Sequence, residues 1–299
     1  MINKFYIKKW FYMITGRSIL HVNQEKGKIY SKYSVKGYYN DLTEKVTKSN
    51  LSVDELPKTK LEDGREIEFA TAIFQYGLGA YDLYLLYKEE DSYKRFIDAV
   101  NWAEKMQMEN GGWKSFEYMN KEHPYSSMTQ GEGASLLLRA YQETKDEKYI
   151  KMAQKAIELL ITPENNGGTA IYENEDVYFQ EFYGKATVLN GWIFSLWGIY
   201  DYLKINNNER IRKIYVNSLS TLEKNIEKYD TGYWSKYDIQ NKIASPFYHN
   251  LHIHQLEVLY DITHIEAFNS YMKKFEKYQE NNFYKTRAFI KKAIQKIME

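Results

Sequence analysis

Glu109-Asn110-Gly111-Gly112-Trp113 closes a pair of helical stretches, and the chain repeats such a closure twice, as Glu164-Asn-Asn-Gly-Gly-Thr169 and as Asp230-Thr-Gly-Tyr-Trp234. Ala70–Tyr87 and Tyr93–Met108 lead into the first, Met128–Glu143 and Glu147–Ile161 into the second, Thr187–Ile205 and Glu209–Tyr229 into the third. Apolar residues recur at helical spacing within these stretches, and glycines punctuate their ends. Tyr248–Asp261 and His264–Tyr278 read as a fourth pair and Tyr284–Met298 as a last helix. Closures separated by roughly 55 to 65 residues mark a repeated helix hairpin. Such hairpins either stack into an open solenoid or close into a toroid. Each repeat here holds a long turn rich in Trp, Tyr and Gly, which favours closure around a cleft lined by those turns. The expected fold is all-α: an (α/α) toroid, or barrel of helix hairpins, over residues 67–299, with the closures at one end.

Residues 1–66 form a short N-terminal extension to this repeat. Ile19–Val35 alternates around Gln24-Glu25-Lys26-Gly27 and predicts a β-hairpin, whereas Leu51–Glu66, polar and holding Pro57 and Gly64, predicts a surface loop. Lys4–Arg17 mixes Lys4, Lys8 and Lys9 with Phe5, Trp10, Phe11 and Tyr12. It has neither a continuous apolar core nor a small-residue cleavage site, so no signal peptide is expected; its amphipathic mix suits contact with a membrane surface or another domain.

Composition excludes several classes. With 43% hydrophobic residues the 299-residue chain has ample material for a core. A formal charge of +1 argues against nucleic-acid partners, which call for a clear cationic excess. No apolar run approaches the roughly 18 residues a membrane span needs. The absence of cysteine excludes disulfides and thiol catalysis and agrees with a reducing, cytoplasmic setting. The 29 tyrosines suit a carbohydrate cleft, since one side chain packs a sugar face and hydrogen-bonds a hydroxyl. A biased genome composition produces the same enrichment, together with the abundant Lys, Ile and Asn.

The richest polar stretch is Ser245-Pro-Phe-Tyr-His-Asn-Leu-His-Ile-His-Gln-Leu256. A helix starting near Pro246 puts Tyr248, His252 and Gln255 on one face. Such groups either satisfy one another in the core or serve a site. No metal is expected: there is no Cys, and His-x-x-His-x-His lacks the Glu of the zinc-protease helix. No cofactor is expected either. The Gly111-Gly112 and Gly167-Gly168 pairs are turn glycines, since no Lys-Ser/Thr follows either pair. Gly131 and Gly133 lie in a helical pattern, where small residues permit close helix packing.

Several ordered blocks resemble the C-terminal domain of the D-glucuronyl C5-epimerases, which invert C5 of uronic acids within heparan-type polysaccharides. They are Gln75-Tyr-Gly-Leu78, Asn110-Gly-Gly-Trp113, Met128-Thr-Gln-Gly131 running into Leu138-Arg-Ala-Tyr141, Val188-Leu-Asn-Gly191, Tyr229-Asp-Thr-Gly232 with Tyr237-Asp238, and Tyr248-His249 with His252. They span about residues 67 to 280 in the family's order. The resemblance implies acid/base roles for Glu181, Tyr237 and Tyr248. It departs from the family at Phe182, where a Tyr is usual, and at Gln240, where animal members carry Arg. A small shift in the loop would let Tyr183 supply the missing hydroxyl. The two β-rich domains that precede the family's toroid have no counterpart in this sequence.

The chemistry explains these residue types. The C5 hydrogen lies alpha to the C6 carboxylate, and its removal makes an enolate-like dianion that donors or cations must stabilise. A second group then returns a proton on the opposite face. An unperturbed Tyr has a pKa of about 10, so a basic Tyr needs a cation or a hydrogen-bond network beside it. Glu181, desolvated among Tyr178, Phe179 and Phe182, would be raised toward neutrality and serve as base or acid. His249 and His252 at the late helix start are expected to hold the substrate carboxylate, with Lys185 as the alternative. Tyr183, Trp113, Gln130 and Asn190 complete the expected substrate-binding set. The expected partner is an acidic polysaccharide or oligosaccharide. A lyase starting with the same proton abstraction, and a non-catalytic glycan-binding toroid, are the rival readings.

Overall fold

The computed structural model describes residues 21–298; Ile19, where the expected hairpin begins, and the amphipathic stretch Lys4–Arg17 lie outside the described residues. From Ala70 onward the chain is a series of helix hairpins: α1 (Ala70–Tyr87) with α2 (Glu90–Met106), α3 (Ser127–Thr144) with α4 (Lys148–Ile161), α5 (Leu189–Ile205) with α6 (Glu209–Asn225), and α7 (Pro246–Thr263) with α8 (Glu266–Glu280). A last helix, α9 (Asn282–Met298), follows. Among the described residues no helix is long and apolar enough to cross a membrane.

Burial separates the helices into two layers. Helices α1, α3 and α5 are buried on every side, in unbroken runs at Ala72–Leu83, Ser127–Ala140 and Leu189–Ile199, and α7 is buried along most of its surface. The even ones bury a single stripe, as in Phe96, Ala99, Val100 and Ala103 of α2 or Tyr149, Ala153, Ala156 and Leu160 of α4. A helix buried all round belongs inside, and one with an apolar stripe belongs outside. The inner helices pack in the order α1, α3, α5, α7, each beside its outer partner, as an (α/α) toroid requires. The tightest crossing is α3 on α5, where a Cβ on Gly198 would lie 2.4 Å from the Gly131 Cα. Gly131 therefore serves close helix packing, as its helical setting predicts.

The gap between α7 and α1 is filled by residues 21–50, which reach all four inner helices. Lys26 Nζ pairs with Glu257 (3.0 Å) and Asp261 (2.7 Å) of α7. The Tyr38 amide donates to Asp82 of α1 (3.0 Å), and the Tyr39 hydroxyl donates to Asp201 of α5 (2.6 Å). Arg139 of α3 donates to the Gly37 carbonyl (3.0 Å). Val35, Tyr38, Tyr39 and Leu42 belong to the same apolar cluster as the helices.

The extension does contain a β-hairpin, but not where the alternation suggested. Over its described residues Ile19–Val35 forms no strand pair; isolated bridges join Lys26 to Asn40 and Tyr30 to Gly37. The hairpin lies in the stretch read as loop: β1 (Thr59–Lys60) pairs antiparallel with β2 (Glu66–Ile67) around Gly64. Burial of Val22, Val35, Tyr38, Tyr39 and Leu42 against the ring outweighs the two-residue alternation, and Lys26, Tyr38 and Tyr39 reach three different helices rather than one sheet face.

A second ladder, β3 (Ala170–Glu173) with β4 (Asp176–Phe179), follows the closure at Gly167-Gly168. Gly111, Gly167 and Gly232 all have left-handed backbone, with φ of +89°, +83° and +81°, which explains a glycine at each closure. Each closure connects an outer helix to the start of the next inner one. The closures therefore gather at one end of the ring, where the inner helices begin.

Candidate functional site

At that end the first turns of all four inner helices surround a cleft of about 250 Å³. α1 contributes Thr71, Ala72 and Gln75, α3 contributes Met128, α5 contributes Asn190 and Phe194, and α7 contributes Phe247, Tyr248 and Leu251. Loops add Phe116, Tyr118, Glu181, Phe182 and Tyr237, and the N-terminal segment adds His21, Gln24, Lys45 and Thr59. The positive ends of four helix dipoles thus converge on one space, an arrangement that favours an anion.

Local structure fixes the three acid/base candidates. β4 runs on to Gln180, whose amide donates to the Thr169 carbonyl (2.8 Å) while its own carbonyl accepts from the Ser127 amide (2.9 Å). Glu181 is thereby held between the starts of α3 and α5. A Cβ on Gly191 would lie 2.9 Å from Glu181 Oε2, so the carboxyl rests directly on the α5 backbone. Tyr237 is tied to α5 by its carbonyl, which accepts from the Leu189 amide (3.1 Å). Asp238 Oδ1 then turns the chain by accepting from the amides of Gln240, Asn241 and Lys242. Tyr248 stands in the first turn of α7, which Ser245 caps and Pro246 starts.

These three side chains cluster. The Tyr237 and Tyr248 rings are 4.8 Å apart, edge to face, and Glu181 lies within electrostatic reach of both phenols. Burial pushes the Glu181 carboxyl up to about 8, and a hydrogen bond from Tyr237 only partly opposes that. Burial, and next the charge of Glu181, also raises both phenols above their ordinary range. Among the three, Glu181 is therefore the group that titrates nearest neutrality. At that spacing no sugar ring fits between Tyr237 and Tyr248.

Asn190 also lines the cleft, with a buried Oδ1 that has no hydrogen-bond partner. The other expected binding residues lie elsewhere. His249 and His252 are fully buried away from the cleft. His249 stacks on Trp234 at 3.6 Å, and its ring nitrogens meet Ser235 Oγ (2.8 Å) and the Phe275 carbonyl (3.0 Å). His252 Nδ1 meets the same Ser235 hydroxyl at 2.9 Å. Burial pushes His249 down to about 3 and His252 well below its usual value, so both are neutral and neither holds a carboxylate by charge. Trp113 is a core residue that donates to the Ala103 carbonyl (2.8 Å) and packs edge-on against Phe74. Gln130, in the first turn of α3, is fully buried and outside the cleft lining. Lys185 is exposed on the loop and is likewise absent from the lining. Tyr183 stacks flat on His123 at 3.4 Å and lines a separate shallow hollow with Tyr125, Thr169 and Gln180. It does not replace the hydroxyl missing at Phe182, which faces the cleft and packs on Phe116.

Sequence reasoning missed Lys45, Gln75 and Glu132. Lys45 enters the cleft from the helical turn Glu44–Thr47, which rests on α1. Glu132 of α3 is buried and pushed up to about 8 by burial; its Oε1 accepts from Gln75 Nε2 (2.9 Å). Glu132 directly follows the quoted Met128–Gly131 block, and a carboxylate on a helix buried all round was the available signal. Among the described residues no cluster of side chains suits a metal ion.

The family model for the D-glucuronyl C5-epimerase C-terminus matches residues 104–277, which include Glu181, Tyr237 and Tyr248. A D-glucuronyl C5-epimerase of Caenorhabditis elegans is 29% identical over 199 residues, covering 57% of this chain and 32% of its own. An uncharacterized protein of Methanocaldococcus jannaschii is 30% identical over 170 residues, 52% of this chain and 55% of its own. The chain thus spans about a third to about half of the length of these curated relatives. Among solved structures, an inactive alpha-1,6-mannanase variant of Salegentibacter sp. in complex with alpha-1,6-mannotetrose aligns with a TM-score of 0.48 at 13% identity, over 71% of this chain and 62% of that one. An unsaturated glucuronyl hydrolase from Bacillus sp. aligns with a TM-score of 0.48 at 13% identity, over 70% and 60%. The family match extends over more than half of the sequence and takes in the starts of α3, α5 and α7 together with the loops that carry Glu181 and Tyr237: the chain belongs to the D-glucuronyl C5-epimerase C-terminus family.

Proposed function

We propose that the chain is an epimerase acting at C5 of uronic acid residues, of the D-glucuronate to L-iduronate type, in an acidic polysaccharide or oligosaccharide. The supporting observation is the contact chain Glu181–Tyr237–Tyr248 on one cleft, with a carboxyl that titrates near neutrality at one end. In this reading the C5 proton passes to the Glu181 carboxylate while the C–H bonding pair moves onto the C6 carboxylate. The Tyr248 hydroxyl then gives its proton to C5 from the other face. Its phenolate takes a proton from Tyr237, and Tyr237 takes one from Glu181. The groups end as they began, with C5 inverted. The relay matters because both phenols are raised above their ordinary range, so neither phenolate persists at neutral pH. Phe116 and Phe182 form an apolar wall that keeps water from these groups while substrate is bound, and the groups exchange their protons with water between turnovers.

The test is incubation with an unsulfated glucuronate polymer in deuterated water. The expected result is deuterium at C5, seen by NMR, without chain shortening. Unsaturated uronate and shortened chains would assign a lyase instead, and no deuterium with intact chains would leave the glycan-binding reading. A further expected outcome concerns Gly191→Ala. The added Cβ falls 2.9 Å from Glu181 Oε2 and 3.2 Å from its Cβ, so the carboxyl must move. Displacing a reacting group by around 1 Å costs about 100-fold in rate. Because Ala is the better helix former, the melting temperature should stay near that of the parent. Exchange at the parent rate would show that Glu181 need not sit on α5.

A further inference from the structure

We propose that Lys45 is the carboxylate-binding cation of the cleft, contacting the C6 carboxylate of the uronate; this rests on the function proposed above. Proton removal at C5 places a second negative charge on that carboxylate, and such charge calls for a fixed donor or cation beside it. The groups expected for this from sequence, His249, His252 and Lys185, are outside the cleft. Among the described residues lining it, Lys45 is the only lysine or arginine. Its side chain is buried rather than waving in solvent, so it is held in one place. Burial lowers its pKa to about 8, which still leaves it a cation at neutral pH.

The surrounding carboxyls make room for an anion. Glu132 lies within electrostatic reach of both Lys45 and Glu181, and burial pushes both carboxyls up to about 8. Were both ionised, the cleft would carry a net negative charge and repel a uronate. With Glu132 holding its proton, Lys45 balances the Glu181 carboxylate that acts as base, and with both protons retained Lys45 makes the cleft positive. Gln75 links the two levels: it lines the cleft and donates to Glu132 Oε1 at 2.9 Å, which leaves Glu132 anchored whether or not Lys45 turns toward a ligand. The competing role for Lys45 is purely structural, as countercharge to Glu132, and a neutral ligand separates the two.

The experiment compares binding of an unsulfated glucuronate oligosaccharide with that of its carboxyl-reduced, neutral counterpart, by calorimetry, to the parent protein and to Lys45→Met and Lys45→Arg. Loss of a charged hydrogen bond from a buried site predicts that Lys45→Met weakens uronate binding about 10- to 100-fold. Binding of the neutral counterpart should stay unchanged, and Lys45→Arg should restore most of the preference. Equal weakening for both ligands would assign Lys45 to structure, and an undiminished preference for the uronate in Lys45→Met would overturn the proposal directly. In the intact parent, the Lys45 ammonium NMR signal should shift with the uronate and not with its neutral counterpart; a signal that ignores both also overturns it, even if Lys45→Met does not fold. A parent protein that shows no preference for the uronate at all would overturn the proposed substrate class first.

Discussion

Glu181→Gln is expected to lower C5 hydrogen exchange by about 100- to 10,000-fold, the range that removing a positioned general base produces. Gln keeps the volume of Glu and cannot accept the proton, so the loss should appear with an unchanged melting temperature. The pH profile gives an independent reading of the same group. Burial raises the Glu181 pKa to about 8, and only the carboxylate form can act as base. Below that value its ionised fraction falls about tenfold per pH unit, so exchange by the parent protein should rise about tenfold from pH 6 to pH 7. Because the balance between two epimers does not depend on pH, the rise should be the same in both directions. Glu181→Gln should lose this slope along with the rate. A parent profile that is flat between pH 6 and pH 8 would move the base to another group.

The second large effect is expected at the opposite end of the ring. Asp201 lies eleven residues beyond Asn190 on α5, roughly 16 Å along the helix axis. Its Oδ2 pairs with Arg139 Nη1 at 2.6 Å and accepts from Ser135 Oγ at 2.8 Å, while its Oδ1 accepts from Tyr39. Arg139 donates in addition to the carbonyls of Ser135 and Gly37. Both side chains are essentially inaccessible to water, so removing one strands the other. Arg139→Met is expected to cost about 3 to 5 kcal/mol of stability, a fall in melting temperature on the order of 10 °C. Pairing it with Asp201→Leu should recover most of that loss, since a buried ion pair exchanged for apolar groups is often neutral. Circular dichroism melts of the single and double variants provide the measurement. A single variant that melts within 2 °C of the parent would mean that solvent or Lys204, 3.4 Å from Asp201, compensates for the lost charge.

The helix pairs were legible in the sequence because their periodicity and glycine closures are local signals; α1 runs over Ala70–Tyr87 as read, and the other helix ends shift by a few residues. Glu181, Tyr237, Tyr248 and Asn190 do come together in one cleft. Trp113 packs into the core from its closure loop instead, and His249, His252 and Gln130 miss the cleft for a geometric reason. An inner helix is buried on two sides, one toward the lumen and one toward its outer partner, and hydropathy does not tell them apart. On α7, Tyr248 and Leu251 face the cleft whereas His249 faces Trp234 and Phe275. Lys45 was illegible for a different reason. It sits in a segment without periodicity, placed by contacts to helices far along the chain.

The way residues 21–50 close the ring separates what is shared among relatives from what melts as a unit. The shared stretch, 104–277, begins at the end of α2 and stops within α8. Excised alone, it would lack α1 and the backbone of Gly37, leaving Arg139 short of an acceptor and α3 with an uncovered flank. The cooperative body therefore extends beyond the inherited motif, and the chain ahead of that motif does two jobs at once. It straps the ring, and through Lys45 it supplies one wall of the cleft. Deleting residues 21–50 is thus expected to alter ligand preference and heat tolerance together.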